Sequence, residues 1–291
     1  MRFVTDPWSW WVAPFLDNPT MRNGLWAVLL TALCTSLVGT WVVLRGMSFL
    51  GDALAHGVLP GIAVAFVLGG DPTVGALVAA LVMVLGVNVV RTSSPLPDDA
   101  SIGILFVGFL ALAVVVMSSD SASYTGDLNR FLFGSITGVD RGDLTRQAVT
   151  TVITVVGVVV LHRALLVGTF DESQAQLLRL RPRLTRVALL VLLTLAIVGS
   201  FATVGNLLVF AFLIAPPATA TLVVRRVPAI MVVAVVTGAA CGVLGLLLSY
   251  HHATAAGATM ALTTVVVFFL VLMARAFAGR LQASRYAPGH G

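Results

Sequence analysis

Residues 187–224 form 38 consecutive positions without a charged side chain. A helix crosses the hydrocarbon core of a bilayer in about 20 predominantly apolar residues. The stretch is long enough for two crossings, and Val204-Gly205-Asn206 near its middle is the natural turn. Similar uncharged runs occupy residues 25–44, 72–90, 101–117, 227–250 and 253–274. Two further runs are marginal. Residues 58–70 span only if the helix starts near Ser48 and so takes in Asp52 and His56, and residues 148–161 must extend toward Gly168. Counting both gives nine spans; losing one gives eight. In lipid the backbone must satisfy its own polar groups, so runs of this length imply helices.

Composition supports the same class. The chain is 58% hydrophobic and 10% charged, with a mean hydropathy of +1.02, against about 25% charged residues in a soluble domain. So few charges cannot cover a soluble globule of this size. All 17 basic residues are Arg, and there is no Lys. A phosphate-binding P-loop needs its Lys, so any ATP use falls to a partner. The net charge of +5 does not point to nucleic acid, because the Arg residues lie between apolar runs rather than in one patch. Cys34 and Cys241 sit inside apolar runs and read as buried free thiols, not as a disulfide or a metal pair. Residues 1–21 hold Trp8, Trp10, Trp11 and several prolines rather than a continuous apolar core. They read as an interfacial segment with Trp at headgroup depth, not as a signal peptide.

Parity orients the chain. With nine spans, Arg45, Arg91, Arg163, the cluster Arg179/Arg181/Arg183/Arg186, the pair Arg225/Arg226 and Arg275/Arg280/Arg285 fall on one side. The positive-inside rule makes that side cytoplasmic. Asp71, the 118–147 segment and residues 250–252 fall outside, and the N-terminus goes outside with nine spans or inside with eight. Residues 168–186 form a cytoplasmic stretch with acids, Asp171 and Glu172, ahead of a helix-compatible 173–180 and Arg at its end, a pattern that suits a helix dipole. Residues 128–139 are apolar but too short to span, which suggests a re-entrant or interfacial piece.

Asp52 and His56 are the residues most open to chemistry. Ionisable groups inside a membrane are costly and face cavities. Their spacing of four puts them on one helix face. Counting from Arg45 at about 1.5 Å per residue places Asp52 ~10 Å and His56 ~16 Å deep, near mid-bilayer. A carboxylate with an imidazole suits Mn²⁺, Zn²⁺ or Fe²⁺. Two ligands are too few, and two copies about a twofold axis would supply four. A structural Asp–His hydrogen bond and a proton relay are equally compatible with the spacing. His251 and His252, at the outer end of the eighth span, are either two solvated interfacial histidines or a catch for arriving metal. His162 and His290 read as solvated. Asp98 and Asp99 suit a helix start. Pro216 and Pro217 interrupt an apolar run, either as a packed kink or as a break on a transport path.

The stretch Leu44-Arg45-Gly46-Met47-Ser48-Phe49-Leu50-Gly51-Asp52-Ala53-Leu54-Ala55-His56, followed by Leu59-Pro60-Gly61, resembles the permeases of the manganese, zinc and iron ABC importers. Supporting matches follow in order. They are Ala100-Ser101-Ile102-Gly103-Ile104, Asp127 with Leu132-Phe133-Gly134, Phe170-Asp171-Glu172, Val204-Gly205-Asn206-Leu207-Leu208, and residues 213–220. The resemblance covers about 22–275. It implies an all-α, integral-membrane, polytopic bundle of eight or nine transmembrane helices in a bacterial plasma membrane. The interfacial segment is then 1–21 and the cytoplasmic tail 276–291. It implies a permease that is not itself an enzyme and has no cofactor. It pairs with a second permease chain, two cytoplasmic ATPase subunits and an extracytoplasmic metal-binding protein. It assigns the transported Mn²⁺ or Zn²⁺ to Asp52 and His56. The family's coupling helix corresponds to about 170–182, with Phe170, Asp171, Glu172, Ala175 and Leu178 as contact residues. This chain departs from the pattern at Arg179, where the family commonly has Gly. The competing functions are a permease for a larger metal chelate, of siderophore or cobalamin type, and a proton-coupled secondary transporter. A membrane enzyme is the least favoured class, since an HExxH motif is absent.

Overall fold

The computed structural model describes residues 7–95, 97–118 and 138–285. The expected piece at 128–139 falls outside them except for its last two residues, as do Asp127, Leu132-Phe133-Gly134, His290 and residues 1–6. Two short helices, α1 (Pro7–Trp11) and α2 (Ala13–Asp17), precede α3 (Pro19–Leu44). Then come α4 (Ser48–Gly57), α5 (Leu59–Val67), α6 (Pro72–Ser93), α7 (Asp98–Ser118) and α8 (Arg141–Phe170). The short α9 (Glu172–Leu177) leads to α10 (Pro182–Val204), α11 (Asn206–Val223), α12 (Val227–His252) and α13 (Ala256–Arg285). Nine spans are long and apolar enough to cross a membrane among the described residues, with α4 and α5 together forming the second. Both marginal runs are therefore spans. The first span of the chain begins at Pro19 rather than at Leu25, and residues 276–285 of the expected tail continue α13.

Local chemistry places the breaks. The expected turn between the sixth and seventh spans is Gly205, at φ 83°, a conformation that glycine adopts without strain. Asp71 caps α6 by accepting from the Thr73 backbone N–H at 2.8 Å, and that bond holds its carboxyl below the usual carboxylate range. A carboxylate shifted downward stabilises the fold above its unfolded-state pKa. That contribution is lost as pH falls through the folded-state value. Asp140 and Asp143 form a capping box at the start of α8.

The helix α3 is the axis of the bundle. It packs against α8, α10, α11 and α12, while α5, α6 and α7 form a second group that joins through α4, α6 and α10. Apolar burial does not drive helices together in lipid, so close packing and polar contacts must. Gly61 and Gly75 bring α5 and α6 close enough that a Cβ on either would strike the backbone of the other. Gln147, buried on α8, donates to Ala27 O at 3.0 Å and to Thr31 Oγ1 at 2.6 Å on α3. Pro216 and Pro217 lie buried within a continuous α11, so they do not break it. Proline removes the N–H that would bond the carbonyl four residues back, here Phe212 and Leu213. Ser36 on α3 donates to Phe212 O at 3.5 Å, and Gly39 lets α3 lie directly on Leu213 O. The packed-kink reading fits this arrangement.

Contacts between chain-distant ends follow nine-span parity. Arg45 Nε donates to Thr169 Oγ1 at 3.0 Å, and Arg275 donates to Leu222 O; all four residues belong to the end assigned to the cytoplasm. At the other end Asn23 donates to Val139 O at 3.2 Å. A cysteine placed at His252 is expected to react with an impermeant thiol reagent only from outside intact cells, and one at Arg183 only after permeabilisation. Reaction at 252 solely from the cytoplasm would reverse the orientation. Cys34 and Cys241 are free and buried, so the native background is low.

Candidate metal site

Asp52 and His56 lie on α4, the first half of a broken span. Pro60 lacks the N–H that would bond His56 O, so the helix gives way at Val58, just past the histidine. Discontinuous helices of this kind often flank ion sites in transporters. The inner face of α4 is filled by Leu50 and Leu54, and Gly51 rests against Leu213. The opposite face carries Phe49, Asp52 and His56 at spacings of three and four. Asp52 and His56 are 30% and 33% exposed and look away from the core of the chain.

His56 Nε2 stands 3.6 Å from Asp52 Oδ1. That is too long for a hydrogen bond, so the structural Asp–His bond weighed above is not formed. Two donors of a tetrahedral ion with bonds near 2.1 Å lie ~3.4 Å apart, a separation close to that of this pair. No group of three or more His, Cys, Asp or Glu side chains gathers among the described residues. Among the described residues, this pair is as many such side chains as one chain brings together here. The Phe106 ring of α7 meets His56 edge-on at 5.8 Å and Phe49 at 6.3 Å. These aromatic neighbours were not singled out from the sequence, because α7 is apolar all round and only the fold shows which Phe faces α4.

The other expected residues are dispersed. His251 is not solvated alone: its ring stacks on Trp10 at 4.6 Å, and Nε2 bonds Trp10 O at 3.2 Å. Since the carbonyl only accepts, Nε2 carries the proton, and this histidine clasps the N-terminal helices. His252 is exposed. His162, expected to be solvated, is half-buried and meets the buried Trp41 edge-on at 5.5 Å. At the end assigned to the cytoplasm Asp171 caps α9 by accepting from Gln174 N at 2.9 Å. Phe170 is 68% and Leu178 52% exposed, while Ala175 is buried within the chain. Leu177, at 83% exposure, was not singled out and extends the same apolar surface.

The chain is similar to proteins named as membrane components of metal transport systems. The manganese transport system membrane protein MntC of Listeria monocytogenes is 33% identical over 81% of this chain and 85% of its own length. The manganese import system permease protein ScaB of Streptococcus parasanguinis is 35% identical over 82% of this chain and 86% of its own. Among solved structures, PsaBC from Streptococcus pneumoniae in complex with Fab superposes with a TM-score of 0.81 at 31% identity, covering 90% of this chain and 94% of that one. The profile of the ABC 3 transport family matches residues 17–275. With nine spans and that match over most of its length, the chain belongs to the ABC 3 transport family.

Proposed function

We propose that this chain is the membrane-spanning permease of an ATP-driven importer that carries a divalent transition metal, Mn²⁺ or Zn²⁺, into a bacterial cell. Iron is the third candidate cargo. Asp52 and His56 of two permease chains together form one four-ligand site. The observation that carries this reading is the pair's geometry: two donors 3.6 Å apart, on the outward face of a broken helix, with no third ligand nearby among the described residues. A bare dication cannot enter an apolar core unless ligands replace its water. Two carboxylates neutralise the ion, and two imidazoles favour transition metals over Ca²⁺ and Mg²⁺. A siderophore- or cobalamin-sized cargo would need a wide apolar path, where this pair would be out of place.

The purified complex, loaded with Mn²⁺ and analysed for metal, is expected to hold one ion per pair of permease chains. One ion per chain would remove the shared site. Protons compete with metal for imidazole, so occupancy is expected to fall on acidification of the medium, read by the same metal analysis. Occupancy that is unchanged in acid would take His56 out of the ligand set.

Energy must come from separate ATPase subunits, since the chain has no Lys for a P-loop. The surface we assign to them is Phe170, Asp171, Glu172 and Leu178, with Ala175 anchoring α9 to the bundle. Because Asp171 also caps α9, its charge is tested with the cap retained. Asp171→Asn combined with Glu172→Gln is expected to lower metal uptake and transport-stimulated ATP hydrolysis together, by roughly 3–10-fold, the effect of about 1 kcal/mol or slightly more at a docking contact. Normal coupling in that double variant would move the docking surface elsewhere.

A further inference from the structure

The link between α9 and α10 holds two arginines in a backbone region that side-chain-bearing residues avoid. Arg179 has φ 57° and Arg181 φ 45°. At Arg179 the left-handed residue closes α9, with the Leu180 N–H donating to Ala175 O at 2.9 Å, and at Arg181 it sets the entry into α10. Arg179, Arg181 and Arg183 are exposed, and their guanidinium groups have no partner among the described residues. Pro182 opens the α10 span, so these side chains stand at the start of a segment long and apolar enough to cross a membrane. A groove of about 500 Å³ opens at Arg181 and Arg183, lined by Gln176, Arg181, Pro182, Arg183 and Leu184; Arg179 precedes it in the chain and does not line it. Leu184 and Val187, next along α10, are exposed at 57% and 41%.

We propose that Arg179, Arg181 and Arg183 form a docking site for the headgroup of an anionic phospholipid of the cytoplasmic leaflet. The charge fits: guanidinium groups bind phosphate oxygens bidentately. The position fits as well, since basic clusters at the cytoplasmic edge of a span attract anionic lipids. The apolar side of the groove, at Leu184, continues toward lipid-facing Val187 and gives the acyl chain a path that a soluble anion would not use. The left-handed turns at 179 and 181 turn the chain from α9 into α10 and keep the charged side chains at headgroup level rather than in the bundle. The site rests on this end facing the cytoplasm, not on the metal site.

The test uses the full-length chain reconstituted in phosphatidylcholine vesicles with a minority of phosphatidylglycerol, then extracted gently. The readout is the ratio of the two lipids retained on the protein, relative to that of the vesicles. The wild type is expected to enrich phosphatidylglycerol by at least about fivefold. The variant R179G/R181G/R183A removes the guanidinium groups while relieving the backbone strain at 179 and 181. It is expected to return the ratio to that of the vesicles, and R179K/R181K/R183K to restore part of the enrichment. Inorganic phosphate at millimolar concentration is expected not to displace the lipid. No enrichment in the wild type, or equal enrichment in the glycine variant, overturns the site. So does displacement by inorganic phosphate, which would make the ligand a free anion. If the glycine variant keeps its lipid but no longer retains the ATPase subunit, the cluster docks protein instead and the proposal fails.

Discussion

Replacing Asp52 with Ala is expected to reduce metal uptake to background, a loss of at least about 100-fold, since removing groups that merely orient a ligand already costs about 10–100-fold. His56→Ala is expected to be severe but milder. Losing the imidazole removes a donor and leaves the charge balance intact. Losing the carboxylate removes a donor and also leaves the dication's positive charge uncompensated in a medium of low dielectric. Neither change should impair folding. Both side chains are about one-third exposed on the outward face of α4, so truncation opens no cavity in the core. The check is uptake of labelled Mn²⁺ by cells depending on this importer, with the amount of permease in the membrane measured in parallel. Wild-type uptake in both single variants, at equal protein level, would make the pair structural and place the site elsewhere.

Gly39→Leu is expected to prevent stable assembly of the bundle. A Cβ at residue 39 would fall far inside van der Waals contact distance of Leu213 O, which is backbone and cannot swing aside. The whole of α3 would have to move off α11. Overpacking a tight core by a few methylenes costs about 1–3 kcal/mol. Gly39→Ala should fall in that range, and Leu beyond it. Because α3 also packs against α8, α10 and α12, the displacement would spread through the bundle. Ser36→Ala, beside it, removes one hydrogen bond to Phe212 O and should cost only ~0.6 kcal/mol, the mean for such bonds between membrane helices. Thermal denaturation of the detergent-solubilised protein, followed by the loss of a monodisperse elution peak, ranks the three. A Gly39→Leu protein as stable as wild type would mean that α3 and α11 do not touch as described.

Much of the fold was legible because a membrane imposes a strict rule. A helix must be long and apolar enough to cross, so uncharged runs map onto spans, and Gly205 marks a turn within the longest of them. The two marginal runs were harder. Asp52 and His56 break the second run in hydropathy, yet the structure carries α4 through them. A face turned to protein or a cavity tolerates groups that a lipid face would not. The first span starts at Pro19 because Arg22, near its outer end, does not stop a helix.

The sequence by itself determined the class, the number of spans within one, and the pairing of Asp52 with His56 on one face. Each follows from local periodicity or from the cost of burying charge, which any single segment displays. Only the tertiary structure decided which face that pair occupies, that its atoms stand 3.6 Å apart without bonding, that Phe106 lies against it, and that His251 is held by Trp10. Those depend on contacts between segments far apart in the chain. Helices that are apolar all round carry no stripe to announce their neighbours, because lipid and protein interior are equally apolar; the partner is chosen by shape, at Gly39 and Leu213 as at Gly61 and Gly75.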